Sequence, residues 1–335
     1  MLSRASLPLR VEGMFSLEMV ELATLVAVLT LALLIDLTLG EPPEKIHLTV
    51  WIGTLVEFLR ARMKSKGLNI EKLNGILLAS FVVGLFAISG YFTLLIIRQY
   101  IGLVVYVIAA AFFLKQTFAI KSMEHHTVPI ATAIEKRDIE IARGLLQHIV
   151  RRDTKNLSEQ QVISGAVESI AEGTVDGITS VIFYFVLAGV PSAIAFRAIS
   201  TLDSMVGYKD QEYANLGWFS ARLDTIANYI PARLTALLMV LAAWLSGESW
   251  KNACRILSRD KGKTDSLNAG WPMSTMAGAL GVQLEKPNCY TLGDANEELT
   301  PRHITRALRI MKLTVILFIA FIAIPILFAI TLACR

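Results

Sequence analysis

The chain has 335 residues, 54% of them hydrophobic and only 18% charged, with a mean hydropathy of +0.54. Soluble domains carry about 25% charged residues, so this apolar excess needs a second apolar solvent, lipid, beyond one globular core. The net charge of +4 comes without interleaved aromatic and basic residues; it reads as basic loops at one membrane face and excludes a nucleic-acid partner. Cys254, Cys289 and Cys334 are widely spaced and odd in number, which excludes a disulfide framework and a structural zinc site.

In chain order, the first apolar run is 22–39, with Asp36 near its end. It follows Arg4 and Arg10 without a small-residue cleavage site, so it is read as a retained helix. Pro42-Pro43 then stiffens a turn leading to His47. Residues 60–72 hold five basic side chains, and 75–97 carry no charge over 23 positions, enough to cross a bilayer. Residues 99–114 are uncharged but short, and they cross only if Lys115 snorkels or the helix extends toward residue 120. Residues 115–155 hold eight basic side chains, and 134–152 have the spacing of an amphipathic surface helix. Residues 177–196 are uncharged but interrupted by Gly189-Val190-Pro191. Residues 225–247 are apolar except for Arg233, 248–312 hold ten basic side chains, and 313–333 are uncharged over 21 positions. The expected architecture is an all-α, polytopic integral membrane helical bundle forming a single domain over 1–335. It has five to seven membrane segments and cytoplasmic amphipathic helices, and no internal repeat.

The positive-inside rule places all three basic stretches on the cytoplasmic side, so 155–248 must cross an even number of times. Two full spans would put Asp203 and Lys209 on the outer side, across the bilayer from the basic stretches. The Gly189-Val190-Pro191 break therefore predicts that 177–205 is a re-entrant pair of half-helices. The segment 225–247, bent near Pro231 and Arg233, is then expected to return as well or to lie partly in the cavity wall.

Four polar motifs interrupt the apolar pattern. Glu168, Glu172 and Asp176 are four apart, which places them on one helical stripe and suits Mg²⁺. Arg197, Thr201, Asp203 and Lys209 mix a hydroxyl, an acid and two cations able to hold phosphate. Asp224 and Asn228 share a helix face near Arg222, and Arg233 lies inside an apolar segment, where it needs Asp224 or a bound phosphate as partner. Asn268 precedes Gly270-Trp271-Pro272 and can bind an amide or a phosphate. Each motif alone also fits ordinary structure: a solvated helix face, a polar loop, a buried pair, a turn before a helix.

As an ordered set on a polytopic chain, these stretches resemble the CobD/CbiB family, the adenosylcobinamide-phosphate synthases of cobalamin biosynthesis. The resemblance runs over about residues 30–310. It begins at Asp36 to Pro42 with His47 and continues through Arg152-Asp153-Thr154, Glu168 to Gly177 and Phe183-Tyr184. It ends on Thr201 to Lys209, Ala221 to Asp224, Asn228 to Arg233, and Asn268 to Trp271. Gly173, Val181, Thr225 and Leu267 stand where the family has asparagine, proline, a second acid and proline.

The resemblance implies ATP- and Mg²⁺-dependent attachment of an aminopropanol phosphate, or the free aminoalcohol, to a carboxylate of adenosylcobyric acid. Glu168, Glu172, Asp176 and Asp224 are then the catalytic candidates, the first three also as Mg²⁺ ligands. Arg197, Thr201, Asp203, Lys209, Arg222, Asn228, Arg233 and Asn268 are the substrate-binding candidates. It also implies a plasma-membrane location in contact with lipid, a site facing the cytoplasm, and other membrane enzymes of cobalamin assembly as partners. A transporter using the embedded acids, or an AmpE-like sensor or assembly protein, remains the alternative.

Overall fold

The computed structural model describes residues 7–63, 68–207 and 214–333. Its elements are, in order, α1 (Leu7–Leu39), α2 (Leu48–Met63), α3 (Leu68–Ile96), α4 (Leu103–Lys115), α5 (Ile120–Glu135) and α6 (Ile139–Gln147). There follow α7 (Glu159–Thr174), α8 (Ser180–Val206), α9 (Trp218–Ala227), α10 (Tyr229–Leu245), α11 (Trp250–Asp260) and α12 (Gly270–Leu280). A two-stranded antiparallel hairpin, β1 (Gln283–Lys286) and β2 (Tyr290–Gly293), precedes α13 (Pro301–Phe318) and α14 (Ile324–Ala333).

The protein is an all-α polytopic membrane protein. Among the described residues five helical stretches are long and apolar enough to cross a bilayer: Met19–Leu39, Asn69–Ile101, Leu103–Glu135, Glu159–Val206 and Pro301–Ala333. The pair α9 and α10, bent by 45°, makes a sixth if taken together. The apolar excess is visible on the outside. Leu77, Phe81, Leu85, Ile88, Phe92 and Ile96 form an exposed stripe along α3, and Phe321, Ile324, Phe328 and Leu332 do the same near the end of the chain. In water such faces would drive aggregation; in a bilayer they are the solvated surface.

The helices have two chemically distinct ends. Glu21 pairs with Arg98, which places the start of the first span beside the end of the second. At the opposite end Asp36 meets Lys115, so α1 and α4 run parallel, and α3 runs antiparallel to both. Helices α5, α6, α7, α11 and α12, the β-hairpin and the first turns of α13 gather at this second, polar end.

The segment 180–206 folds back on itself. Helical geometry fails at Ala188 and at Gly189, whose φ of 76° and ψ of −166° are open to glycine alone. Pro191 then occupies the first turn of the returning arm, where its missing N–H costs nothing. The two arms lie side by side: Tyr184 stacks on Phe196 at 5.2 Å, and Ser192 Oγ donates to the Tyr184 carbonyl at 2.6 Å. The outgoing arm from Asp176 to Leu187 is about 18 Å long at 1.5 Å per residue. That is well short of the roughly 30 Å hydrocarbon layer, so the pair is a re-entrant hairpin with both ends on the polar side. The returning arm packs on α3, where a Cβ at Gly90 would stand 2.7 Å from Ile194 Cδ1; nearer its start, a Cβ at Gly75 would stand 2.1 Å from the carbonyl of Leu216 in the turn before α9, so only glycine admits that approach.

Three expectations need correction. The surface helix expected over 134–152 is two helices, because Arg137 turns to φ 61° and Asp138 caps the Ile141 N–H of a new helix. Lys115 does not snorkel: it is 1% exposed and forms ion pairs with Asp36 Oδ1 at 3.0 Å and Glu41 Oε2 at 3.2 Å. The bend in 218–245 falls at Asn228 rather than at Pro231, which sits harmlessly in the first turn of α10.

Candidate functional site

The site is built at the open end of the re-entrant hairpin. Helix α7 starts on a reciprocal cap between Ser158 and Gln161 and runs buried through the polar end. A single π turn over Val175–Thr179 joins it to the outgoing arm of α8. Glu168, Glu172 and Asp176 all line one cleft of about 400 Å³, closed on other sides by Arg151, Arg152, Asp203, Lys286 and Tyr290.

The three acids differ in their partners. Glu168 is buried and fully engaged: Ser164 Oγ donates to it at 2.6 Å, Tyr290 Oη at 2.8 Å, and Arg152 Nη2 lies 3.2 Å away. Burial and the adjacent Glu168 carboxylate push the Tyr290 phenol up, so it keeps the proton it donates. Glu172 and Asp176 make no hydrogen bond or ion pair among the described residues, and both feel the negative charge of Asp203. Asp203 arrives on the returning arm and opens onto a second cleft of about 590 Å³ that includes Asp224 and Arg222. Asp224 lies within electrostatic reach of Asp176, Asp203 and Glu172 and accepts one hydrogen bond, from Asn228 Nδ2 at 3.0 Å. Four carboxylates from three segments thus meet with few compensating bonds.

No group of three Asp, Glu, His or Cys side chains among the described residues is gathered tightly enough to cage a metal ion. The Mg²⁺ site expected of Glu168, Glu172 and Asp176 is therefore not preformed, because Arg152, Ser164 and Tyr290 occupy the Glu168 oxygens. The remaining set is oxygen-only and unpaired, which fits an ion that needs one or two protein carboxylates and completes its shell with water and phosphate oxygens.

The expected binding residues divide. Arg222 is exposed at the second cleft and makes no hydrogen bond or ion pair among the described residues. Arg197 is otherwise employed: its Nε donates to the Thr117 carbonyl at 2.6 Å and its Nη2 to the same carbonyl and to Gly177 O at 3.2 Å. It stitches the returning arm to the α4–α5 junction, and its charge lies within reach of Asp176 and Asp224. Thr201 bonds back to the Arg197 carbonyl at 2.8 Å. Asn228 accepts from Ser180 Oγ at 2.6 Å while donating to Asp224.

Arg233 finds neither Asp224 nor an open phosphate site. It donates to Tyr229 O at 2.6 Å and Asn268 Oδ1 at 2.9 Å, with its guanidinium over the Tyr229 and Trp271 rings at 3.4 and 4.8 Å. Asn268 in turn donates to the Thr225 carbonyl at 2.9 Å, so this pair fastens α9, α10 and α12 together. Lys209 lies outside the described residues.

Tyr290, Lys286, Arg152 and Ser164 were not singled out from sequence as site residues. Arg152 lay within the Arg-Asp-Thr stretch of the resemblance; Tyr290 and Lys286 gave no signal, because a four-residue strand has too little pattern to distinguish it from a loop. A second polar cluster, Asp36–Lys115–Glu41–His47, lies at the same end, with His47 Nε2 2.8 Å from Glu41. Burial raises the Glu41 carboxyl, but the His47 hydrogen bond and the Lys115 charge outweigh it and hold the group below its usual value.

A model of the family described as CobD/Cbib protein matches residues 29–311, which spans both clusters and the whole re-entrant hairpin. The chain belongs to the CobD/CbiB family. A "Probable cobalamin biosynthesis protein CobD" of Methanothermobacter thermautotrophicus is 41% identical over 294 residues, 88% of this chain and 95% of that one. The "Cobalamin biosynthesis protein CobD" of Dehalococcoides mccartyi is 42% identical over 279 residues, 83% and 90% of the two chains. A relative of the same name as the first, from Thermococcus kodakarensis, is 41% identical over 285 residues, 85% and 90% of the two. No solved structure is significantly similar.

Proposed function

We propose that this member of the CobD/CbiB family acts in cobalamin biosynthesis as an acid–amine ligase, joining adenosylcobyric acid to aminopropanol or its phosphate with consumption of ATP. The observation that carries the reading is the convergence of Glu172, Asp176, Asp203 and Asp224, without neutralising ion pairs, at the open end of the re-entrant hairpin. Four nearby carboxylates at the membrane boundary are costly and call for a cationic ligand. A magnesium nucleotide supplies that cation and also the activation that a carboxylate needs before an amine can displace oxygen from it.

Glu172 and Asp176 would hold the metal through oxygen. A carboxylate facing the second cleft, Asp224, would take the proton that the ammonium must lose before its nitrogen attacks the activated carbonyl carbon. Asn228 orients that carboxylate through its 3.0 Å hydrogen bond. Carbon–nitrogen bond formation then expels the activating phosphate group, and the amide remains. The two clefts meet at Asp203, so a bulky substrate in one and a nucleotide in the other can share the acids between them.

The reading places the polar end in the cytoplasm of the cell that bears the protein in its plasma membrane, where ATP is available. The basic stretches on this end support that orientation. The test is direct. Purified protein in detergent is incubated with adenosylcobyric acid, Mg-ATP and either aminopropanol or its phosphate, and products are followed by mass. Amide formation dependent on both ATP and amine is expected; no product with either amine refutes the reading.

A further inference from the structure

Three cations line the cleft of Glu172 and Asp176: Arg151, Arg152 and Lys286. Two are committed to the protein. Arg151 Nη2 donates to the Ser204 carbonyl. Arg152 pairs with Glu168 at 3.2 Å and donates to the Glu285 carbonyl at 3.1 Å. Lys286 is different. Half-buried, it makes no side-chain hydrogen bond or ion pair among the described residues, although its charge lies within reach of Glu172.

The position of Lys286 is set by a built support. In the antiparallel register Lys286 is the cross-strand partner of Tyr290, so both side chains leave the same face of the β-hairpin. Tyr290 is fixed on Glu168, and the Glu285 backbone is held from both sides: Ser164 Oγ, whose proton goes to Glu168, accepts from the Glu285 N–H at 2.8 Å, and Arg152 donates to the Glu285 carbonyl at 3.1 Å. Glu168 and Glu172 are one turn apart on α7, so the hairpin meets one turn with the phenol and the next with the ammonium. The cleft therefore has an acidic wall of Glu172, Asp176 and Asp203 and a facing wall whose uncommitted cation is Lys286.

We propose that Lys286 is a phosphate-binding side chain of this cleft, and that the contacts of Tyr290, Glu168, Ser164 and Arg152 exist to hold the β-hairpin that carries it. The proposal rests on the reading above only in expecting phosphate-bearing substrates here. The phosphate belongs to the nucleotide or to a phosphorylated amine; a monoester and a polyphosphate present the same oxygens to an ammonium.

The test uses the full chain in detergent with the Lys286→Ala and Lys286→Arg variants. Pyrophosphate, titrated calorimetrically without turnover, is the binding probe. Its affinity is expected to fall about tenfold in K286A and to stay near wild type in K286R, as for loss and retention of a charge-assisted contact. Where K286A fails to run as a single species on gel filtration, Lys286→Gln replaces it, with the same expectation. Equal affinity in wild type and the neutral variant, or no binding by wild type, overturns the proposal. Steady-state assays then identify the source: a rise in KM for ATP alone assigns the nucleotide, and a rise for the amine phosphate alone assigns the amine. Absence of any ligase activity sinks the proposed function while the pyrophosphate titration still decides the role of Lys286.

Discussion

Two acidic clusters sit at the polar end of this protein, and they are built on opposite terms. In the first, Asp36 and Glu41 share the ammonium of Lys115, Glu41 takes a second bond from His47, and Asp36 accepts from the Lys121 backbone N–H at 3.0 Å. In the second, Glu172, Asp176 and Asp203 make no hydrogen bond or ion pair among the described residues, and Asp224 has Asn228 alone. Burying charge is costly in both places. In the first cluster the protein supplies the compensating charges itself and gains a joint between α1, α4, α5 and the turn before α2. In the second, on the reading proposed above, a ligand supplies the compensation. Acidity and burial alone do not distinguish a structural cluster from a reactive one; the partner list does.

The largest effect is expected where the paired cluster is broken. Lys115→Ala should cost about 3–5 kcal/mol, because it strands two buried or half-buried carboxylates. A fall in the thermal midpoint in detergent measures it, and Lys115→Met combined with Asp36→Leu should recover much of the loss. An unchanged midpoint in K115A would erase the distinction between the clusters. The unpaired cluster should respond in the opposite way. Asp176→Asn or Asp224→Asn is expected to lower turnover by about 10²–10⁴-fold, while the midpoint holds or rises as like-charge repulsion is relieved. Glu168→Gln should behave like the paired cluster, losing stability through Arg152 as well as activity. A midpoint collapse in D176N would place Asp176 among the structural acids.

A smaller effect tests the hairpin that brings the second cluster together. Gly189→Ala has room for its methyl group, whose nearest neighbour is Pro191 Cδ at 3.7 Å. The backbone conformation there is nonetheless barred to residues with a Cβ, at a cost of about 1–3 kcal/mol. The expected outcome is a modest drop in midpoint together with reduced turnover, since loosening the tip lets Asp203 move relative to Asp176. Retained turnover at a lowered midpoint would show that the acids hold their positions without the turn.

Much of this was legible along the chain. A bilayer imposes its thickness on any segment that crosses it, so 22–39, 75–97 and 313–333 declare themselves by length and absence of charge alone. The re-entrant hairpin was legible because Gly189-Val190-Pro191 disfavours a continuous helix just where a full crossing would carry Asp203 and Lys209 to the outer side. The acids Glu168, Glu172 and Asp176 could be placed on one face because helical periodicity is local. What sequence by itself determined is therefore the membrane class, the order of the spans, the break and the acidic stripe, all consequences of short-range geometry and of transfer to lipid.

Partner choice was decided only by the tertiary structure. Lys115 snorkels or pairs according to whether Asp36, 79 positions earlier, ends up beside it. Arg197 and Arg233 read as phosphate ligands until the fold brings the Thr117 carbonyl to one and Asn268 to the other. Glu168 reads as equal to Glu172 until Tyr290, 122 positions later, takes its oxygen. Such pairings depend on distances of a few ångströms between segments far apart in the chain, and electrostatic energy inside a low-dielectric protein changes steeply over that range. No local pattern encodes them, so which charges were left free for chemistry could be seen only once the helices had packed.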